Sequence, residues 1–483
     1  MRLPLRTFVV SLLLGLAASA ANPPTRPNVL FLLADDLGWG DLSCYGNTLF
    51  KTPHLDRLAA GGTLFTQFYV AGSVCSPSRC GFFTGQIPAR HRIHGHYSTK
   101  PTNAARGMSD WLEPSVPNVA RTFRAAGYAT AHIGKWHLGN DADGPAIKEY
   151  GFDFVGSGEG GAAVNAADPY YRARSTALFV DEALKFIGER KGAPFYAQVC
   201  TLVPHAVLNP TPEQLKPFAR FNSPNVPHQS PRAIYAATIA DLDTQIGRLL
   251  DGLKTLGVAD NTIVIFSSDN GPEEMAVGGA AHSGVGSTGP FRGRKRSLYE
   301  GGVRVPYLVR WPGHVPAARI DDTSVLSGLD QLPTLAKLAG LTLPADHVLD
   351  GEDASDIWLG HPRPRTRPLL WEWRFRVFGH VVNCSPQLAI RDGDWKLLLN
   401  PDRTRTELYA IVRDPMQVDN VAAQNPAVVE RLAAKVLAWQ RTLPPGPGDP
   451  GANDNTYPWP GRSSPDAGPA LRTQKAAAKP AEK

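Results

Sequence analysis

Asn28-Val-Leu-Phe-Leu-Leu-Ala34 carries a single polar residue, at its start, and runs directly into Asp35-Asp36. A strand wetted on one face alternates apolar and polar residues. A run that is apolar throughout belongs to a strand covered on both faces, the usual state in a parallel sheet. Ala129–Ile133, Phe195–Thr201 and Thr262–Ser267 repeat the pattern. Helical periodicity occupies the intervals: Pro53–Ala60 stopped by Gly61-Gly62, Val116–Ala126 stopped by Gly127, Thr176–Arg190, and Ala233–Leu256. Buried strands alternating with helices predict an α/β fold, a large mostly parallel sheet sandwiched by helices. Ligands of such sheets bind beyond the carboxyl ends of the strands. Polar clusters stand there after each run: Asp35-Asp36, then Lys135 and His137, then His205, then Asp269-Asn270.

Beyond about residue 360 the texture changes. Leu369–Trp373, Leu388–Arg391 and Trp395–Leu399 alternate, with Asp392-Gly393 as a turn between the last two, and Pro426–Arg441 follows as a helix. This predicts a catalytic unit over 21–360 and a smaller C-terminal antiparallel-sheet-plus-helix subdomain over 361–443. Residues 444–483 are rich in Pro, Gly, Ser, Ala and Lys and are expected to stay disordered, because they hold too little apolar surface to order themselves.

With 42% hydrophobic and 19% charged residues over 483 positions, the chain has neither a disordered nor a fibrous composition. The net charge of +6, reduced to +4 without Arg2 and Arg6, is spread without basic runs, so no nucleic-acid partner is expected. Met1–Ala20 has a charged start, an apolar core through Val9, Leu12, Leu13, Leu14 and Leu16, and an Ala18-Ser19-Ala20 exit. That is the form of a secretory signal peptide, which predicts a secreted or periplasmic protein after cleavage near Ala20. No segment reaches the ~20 apolar residues of a membrane span. Five cysteines (44, 75, 80, 200 and 384) are too few and scattered for a disulfide framework, and their odd number leaves at least one without an intrachain partner.

One cysteine lies in Cys75-Ser-Pro-Ser-Arg79-Cys-Gly-Phe-Phe-Thr84-Gly85. Taken alone, Cys75 could be a buried thiol or could pair with Cys80. The segment resembles the maturation signature of the sulfatase family, C-x-P-S-R followed by T-G, with Phe83 where that family usually has leucine. Four further stretches resemble the same family: Asp35-Asp36-Leu-Gly-x-Gly-Asp41, Gly134-Lys135-Trp-His137-Leu-Gly139, Ser268-Asp269-Asn270-Gly271, and Gly293-Arg-Lys295 through Glu300-Gly-Gly302 to Pro306. Pro204-His205 and Ile390–Lys396 are weaker matches. Adjacent residues on a regular strand point to opposite faces. Asp35 and Asp36 can therefore reach one ion only where the strand has ended, an irregularity that the neighbouring glycines would permit. Three carboxylates and an amide carbonyl form an all-oxygen set suited to calcium, whereas zinc would call for histidine or cysteine.

The resemblance implies a large α/β sulfatase fold of the alkaline phosphatase superfamily and a sulfatase activity. It also implies that a maturase oxidises Cys75 to formylglycine, and that one Ca2+ is held by Asp35, Asp36, Asp269, Asn270 and the modified residue 75. On that pattern one hydroxyl of the hydrated aldehyde attacks sulfur. Arg79 and Lys135 orient the hydrate, and Lys295 holds the sulfuryl oxygens. His205 protonates the leaving oxygen, and His137 takes a proton from the second hydroxyl so that sulfate leaves. With the ion, the three carboxylates and the three cations leave this site net +2, attractive to a sulfate ester. The expected substrate is a sulfated carbohydrate or another sulfate ester. Two alternatives stay open: a phosphate or phosphonate monoester hydrolase of the same superfamily, and a catalytically silent glycan-binding homologue. Trp39, His94 and His96 are candidates to line the pocket. Trp371, Trp373, Arg374 and Arg376 form either a clamp for a sulfated sugar or a half-buried edge strand. Specificity is expected from the loops 140–171 and 273–291 and from the C-terminal subdomain.

Overall fold

Residues 28–34 split their side chains between two cores. Val29, Phe31 and Leu33 enter one, while Leu30, Leu32 and Ala34 enter the other, and every residue of the strand is buried. The computed structural model describes residues 26–139, 144–158, 167–190, 192–225, 228–275, 277, 282–449 and 452. The expected signal peptide, most of the C-terminal tail and parts of both specificity loops lie outside them. Residues 444–449 are described, and Pro444 and Asp449 make hydrogen bonds to Arg374.

The strands are β1 (Asn28–Asp35), β2 (Thr63–Phe65), β3 (Phe68–Tyr69), β4 (Ala129–Gly134), β5 (Phe154–Val155), β6 (Phe195–Pro204), β7 (Thr262–Ser268), β8 (Tyr307–Arg310), β9 (Arg319–Asp321), β10 (Leu326–Ser327), β11 (Leu369–Glu372), β12 (Leu388–Asp392), β13 (Trp395–Leu399) and β14 (Glu407–Ala410). The main sheet has eight strands in the order β5-β4-β6-β1-β7-β8-β2-β9. It is parallel from β5 to β7, and β8 alone runs against its neighbours. Helices Pro53–Ala60, Tyr171–Glu189 and Pro231–Thr255 cover one face; Cys75–Thr84, Val119–Ala125 and Gln331–Leu338 cover the other. The expected helix-sandwiched, mostly parallel sheet is therefore present. Sequence periodicity did not signal β2, β8 and β9, which are three or four residues long.

The C-terminal sheet, β11-β12-β13-β14, is wholly antiparallel. Leu388, Ile390, Leu397 and Leu399 pack on Leu432, Ala433 and Val436 of the helix Pro426–Gln440. From the opposite face Trp371, Ala389, Leu398 and Tyr409 join the same core as Phe31 and Phe82. Trp371 and Trp373 are 2% and 5% exposed, and Trp371 Nε1 donates to the Val70 carbonyl. Of the two readings of this cluster the sugar clamp is thus corrected for the tryptophan pair, and the half-buried edge strand holds: β11 ends its sheet and alternates buried with half-buried residues. A strand covered by the main domain spends its aromatic side chains on packing, and Arg374 turns to Glu372 at 2.9 Å. Among the described residues no helix is long and apolar enough to cross a membrane.

Candidate active site

Parallel pairing brings the carboxyl ends of β1, β6 and β7 level: Ala34 lies opposite Ser268, and Asp35 opposite Pro204. The next residues along the chain, Asp36, His205 and Asp269, therefore leave the sheet at one place. Asp35 closes the regular strand, and Asp36 itself takes φ 67°, which swings the second carboxylate toward the first. The expectation had given that turn to the glycines. Their role is instead close approach, since a Cβ on Gly38 would lie 2.1 Å from the Ser287 carbonyl oxygen, and one on Gly40 2.5 Å from the Gly289 nitrogen.

Cys75 opens the buried helix Cys75–Thr84, with Pro77 in its first turn, where a missing N–H costs nothing. Asp36, Cys75 and His205 bring one ligand atom each within 4.8 Å of one another, and so do Asp35, Cys75 and Asp269. The Cys75 thiol lies 3.7 Å from Lys135 Nζ, which also donates to Asp35 Oδ2 at 2.7 Å. Lys295 Nζ donates to Asp36 Oδ2 at 2.7 Å. Arg79 Nε donates to Asp269 Oδ2 at 2.9 Å and its Nη1 to the Lys135 carbonyl at 2.8 Å. Asn270 Nδ2 donates to Asp36 Oδ1 at 2.7 Å.

His137, at φ 53°, donates from Nε2 to the Tyr97 carbonyl at 3.2 Å, so its buried, unpartnered Nδ1 carries the lone pair. His205 donates from Nδ1 to the Ala206 carbonyl at 2.7 Å, and its Nε2 faces Asp36 Oδ2 at 3.8 Å. Burial first, and then neighbouring cations, hold both imidazoles well below their ordinary range, so both are neutral. The ten residues expected here thus converge on one buried place.

The chemistry of the donor set matches a hard cation. Asp35 Oδ1 and Asn270 Oδ1 are buried acceptors without a hydrogen-bond partner. Burial, and then the Asp35 charge, push the Asp269 carboxyl up to about 7. Burial would also raise Asp35, but the charges of Lys135, Arg79 and Lys295 hold it well below its usual range. A divalent ion among these oxygens would satisfy the orphaned acceptors and let all three carboxylates ionise. The thiol of Cys75 is pushed up to about 12 by burial, against Lys135 and Lys295, so unmodified Cys75 is no thiolate at neutral pH. No two of the five cysteines are joined, Cys75 and Cys80 included.

The lesser candidates separate. Trp39 donates to the Thr66 carbonyl and packs edge-on against Tyr45 and Phe291, and His94 pairs with Glu372 at 2.6 Å. Both of these contacts are structural. The half-buried His96 stands 6.5 Å, ring to ring, from His137. Two residues not singled out in the sequence belong to the surroundings: Glu273, 3.7 Å from Lys295 Nζ, and Arg296, which pairs with Glu273. Single charges in a loop have no period to reveal them.

Comparison with known proteins agrees with this geometry. The Sulfatase family model matches residues 27–341, and a model for the C-terminal part of N-sulphoglucosamine sulphohydrolase matches 289–442. N-acetylgalactosamine-6-sulfatase of Canis lupus familiaris is 35% identical over 385 residues, covering 72% of this chain and 70% of the relative. Arylsulfatase A of Homo sapiens is 36% identical over 376 residues, covering 72% and 71%. Among solved structures, Ps i-CgsB in complex with k-i-k-neocarrahexaose aligns with a TM-score of 0.72 at 25% identity, over 93% of this chain and 98% of that one. The phosphonate monoester hydrolase of Agrobacterium radiobacter aligns with a TM-score of 0.62 at 25% identity, over 86% and 96%. A match of this extent, laid over a site in which acid, amide, cysteine and lysine meet at the strand ends, shows that the chain belongs to the sulfatase family and is a sulfuric ester hydrolase.

Proposed function

We propose that this protein is an exported sulfatase that removes a sulfate group from a carbohydrate, using one Ca2+ and a formylglycine made from Cys75 by a maturase. The observation that carries the reading is the convergence on Cys75 of Asp35, Asp36, Asp269 and His205, with two buried acceptor oxygens left unmatched. Asp35, Asp36, Asp269, Asn270 and residue 75 would hold the ion. When bound, the ion supplies charge that acidifies a hydroxyl on the hydrated formyl group, and that hydroxyl is the nucleophile toward sulfur.

The chain's own residues do the rest. Arg79 ties Asp269 to the Lys135 backbone and so fixes two walls of the pocket. Lys135, beside position 75, orients the nucleophile, and Lys295 faces the sulfuryl oxygens. The lone pair on His137 Nδ1 takes the proton of the second hydroxyl. Nε2 of His205, which carries the lone pair of the neutral ring, must first take up a proton, drawn by the negative charge of the bound sulfate ester, and then pass it to the leaving oxygen. A positioned acid of this kind typically contributes roughly 10²–10⁴ in rate. A carbohydrate substrate accords with the names of N-acetylgalactosamine-6-sulfatase and of the neocarrahexaose complex. Export rests on the leader-like Met1–Ala20, and N-terminal sequencing of protein recovered outside the cytoplasm should begin near residue 21.

The test combines mass spectrometry with a substrate panel. Protein coexpressed with a maturase should yield the tryptic peptide Leu58–Arg79 with an aldehyde at position 75, and should release sulfate from sulfated sugars. Cys75→Ala should fold normally and turn nothing over. An intact thiol in an active preparation would overturn the chemistry. The likeness to a phosphonate monoester hydrolase supplies the second reading, favoured if phosphonate monoesters are cleaved and sulfate esters are not.

A further inference from the structure

Arg296 directly follows Lys295 and adopts φ 75°. A left-handed conformation is unfavourable for a residue with a side chain and persists where the surroundings impose it. Its effect here is visible. Consecutive side chains on extended backbone diverge, yet both of these reach Glu273. Lys295 Nζ is 3.7 Å from Glu273 Oε2, while Arg296 Nη1 and Nη2 donate to Oε1 and Oε2 at 2.5 and 3.1 Å. The Arg296 backbone N–H donates to the Ser73 carbonyl at 2.8 Å, two residues before Cys75. The guanidinium therefore stands one carboxylate beyond the lysine assigned to the sulfuryl oxygens.

That ion pair uses two of the five guanidinium N–H groups and leaves three without a partner among the described residues. The Arg296 side chain is 11% exposed, and the guanidinium carbon lies 5.6 Å from the ring centre of Phe378, itself 50% exposed. Arg106, half-buried, donates to the His96 carbonyl at 3.4 Å and covers the Phe375 ring at 5.2 Å. Arg106 and Arg296 are within electrostatic reach of each other and of His96. Of the nearby acids, Glu274 is engaged by Asn383 at 2.6 Å, and Asp449, whose charge acts on Arg106, accepts from the Arg376 N–H and donates to the Arg374 carbonyl. Beside Lys295 there thus stand two guanidinium groups, one of them paired with Glu273, a neutral histidine and an exposed aromatic ring.

We propose that Arg296, with Arg106 beside it, forms a second anion subsite, which takes a carboxylate or a further sulfate carried by the substrate next to the sulfate being removed. This rests on the sulfate-ester reading above and names the substrate class as sugars bearing at least two negative groups. The planar fork of a guanidinium suits both oxyanions, and the apolar face of a sugar ring fits against Phe378.

The experiment uses matured, calcium-loaded enzyme and three substrates with the same scissile sulfate: a monosulfated hexosamine, its disulfated form, and the monosulfated sugar joined to a uronic acid. Wild type should show the higher kcat/KM on one or both two-anion substrates, and which of them gains tells sulfate from carboxylate. In Arg296→Gln the ratio of two-anion to one-anion kcat/KM should fall roughly 10–100-fold, the worth of a hydrogen bond to a charged group. Arg106→Gln, at the more exposed position, should lower the same ratio by a smaller factor, and it carries the test if Arg296→Gln does not fold. A wild-type enzyme indifferent to the second anion, or a ratio unmoved in the folded variants, overturns the subsite while leaving the sulfatase reading intact. Matured protein inert toward every sulfate ester overturns that reading, and the subsite with it.

Discussion

Glu300 and Lys396 join the main domain to the C-terminal sheet, and their replacement tests how that joint works. Glu300 opens the helical turn that follows the Lys295 loop, and Lys396 lies on β13. Their charged atoms are 2.7 Å apart, with both side chains 0% exposed. The other carboxylate oxygen accepts from Tyr69 Oη at 2.6 Å and lies 3.3 Å from Arg304 Nη1. Burial alone would raise the Glu300 carboxyl, but Lys396, Arg304 and Arg391 overcome it and hold it at about 2 against an ordinary 4.5. That gap corresponds to about 3 kcal/mol in favour of the folded state. Because the carboxyl is depressed, its contribution is complete above an ordinary carboxylate pKa and disappears as pH falls from there toward 2. Glu300→Gln leaves the Lys396 ammonium with Arg391 and Arg304 as charged neighbours and should cost about 3–5 kcal/mol. Lys396→Met leaves the carboxylate with Tyr69 and Arg304, so a smaller loss of about 1–3 kcal/mol is expected. Urea unfolding of both single variants and the double variant closes the cycle, and the double loss should fall short of the sum. Glu300→Gln should also flatten the acid limb of the stability curve. A loss below about 1 kcal/mol in Glu300→Gln, or strict additivity, would refute the reasoning.

His205→Ala should slow sugar sulfates by roughly 10²–10⁴ and activated aryl sulfates far less, because a good leaving group barely needs a proton. Equal losses on both, measured as kcat/KM, would remove the acid role. Chelation should lower both thermal stability and turnover, with Ca2+ restoring them. Since a proton competes for Asp269 up to about pH 7, calorimetric Ca2+ affinity should rise as pH increases through that value. An affinity independent of pH would count against the carboxylate cage. Gly134→Ala should cost about 1–3 kcal/mol or more and impair catalysis through Lys135. At φ 95° its new Cβ would lie 1.9 Å from the Cys200 carbonyl oxygen, so wild-type melting and turnover would show that the backbone there yields freely.

How much of this was legible in the sequence follows from what each feature needed. β1, β4, β6 and β7 are covered on both faces, so their apolar runs announced them. The segments β2, β8 and β9 are too short for any period to emerge. The helix Cys75–Thr84 is buried on every side, which leaves no polar stripe to betray it, and its Pro77 argues locally against a helix. The three acids and Lys135 stood out because they cluster at strand ends, whereas Lys295, in the stretch between β7 and the turn at Glu300, was reached only through the family-like segment around it. The partnership of Glu273 with Arg296 did not, because it depends on one left-handed residue that composition does not encode. The tryptophans of β11 left two readings open for a related reason: an aromatic–basic cluster on an edge strand reads the same whether its aromatic face meets a ligand or the main domain.

The second face of the C-terminal sheet shares a core with the main domain through Trp371, Ala389, Leu398 and Tyr409. Protein engineers should therefore not treat the two units as interchangeable cassettes. Cutting the chain near residue 360 would strip hydrocarbon from both sides of the cut and take away the partner of Glu300, so chimeras between relatives need their splice points chosen to carry that shared layer across whole.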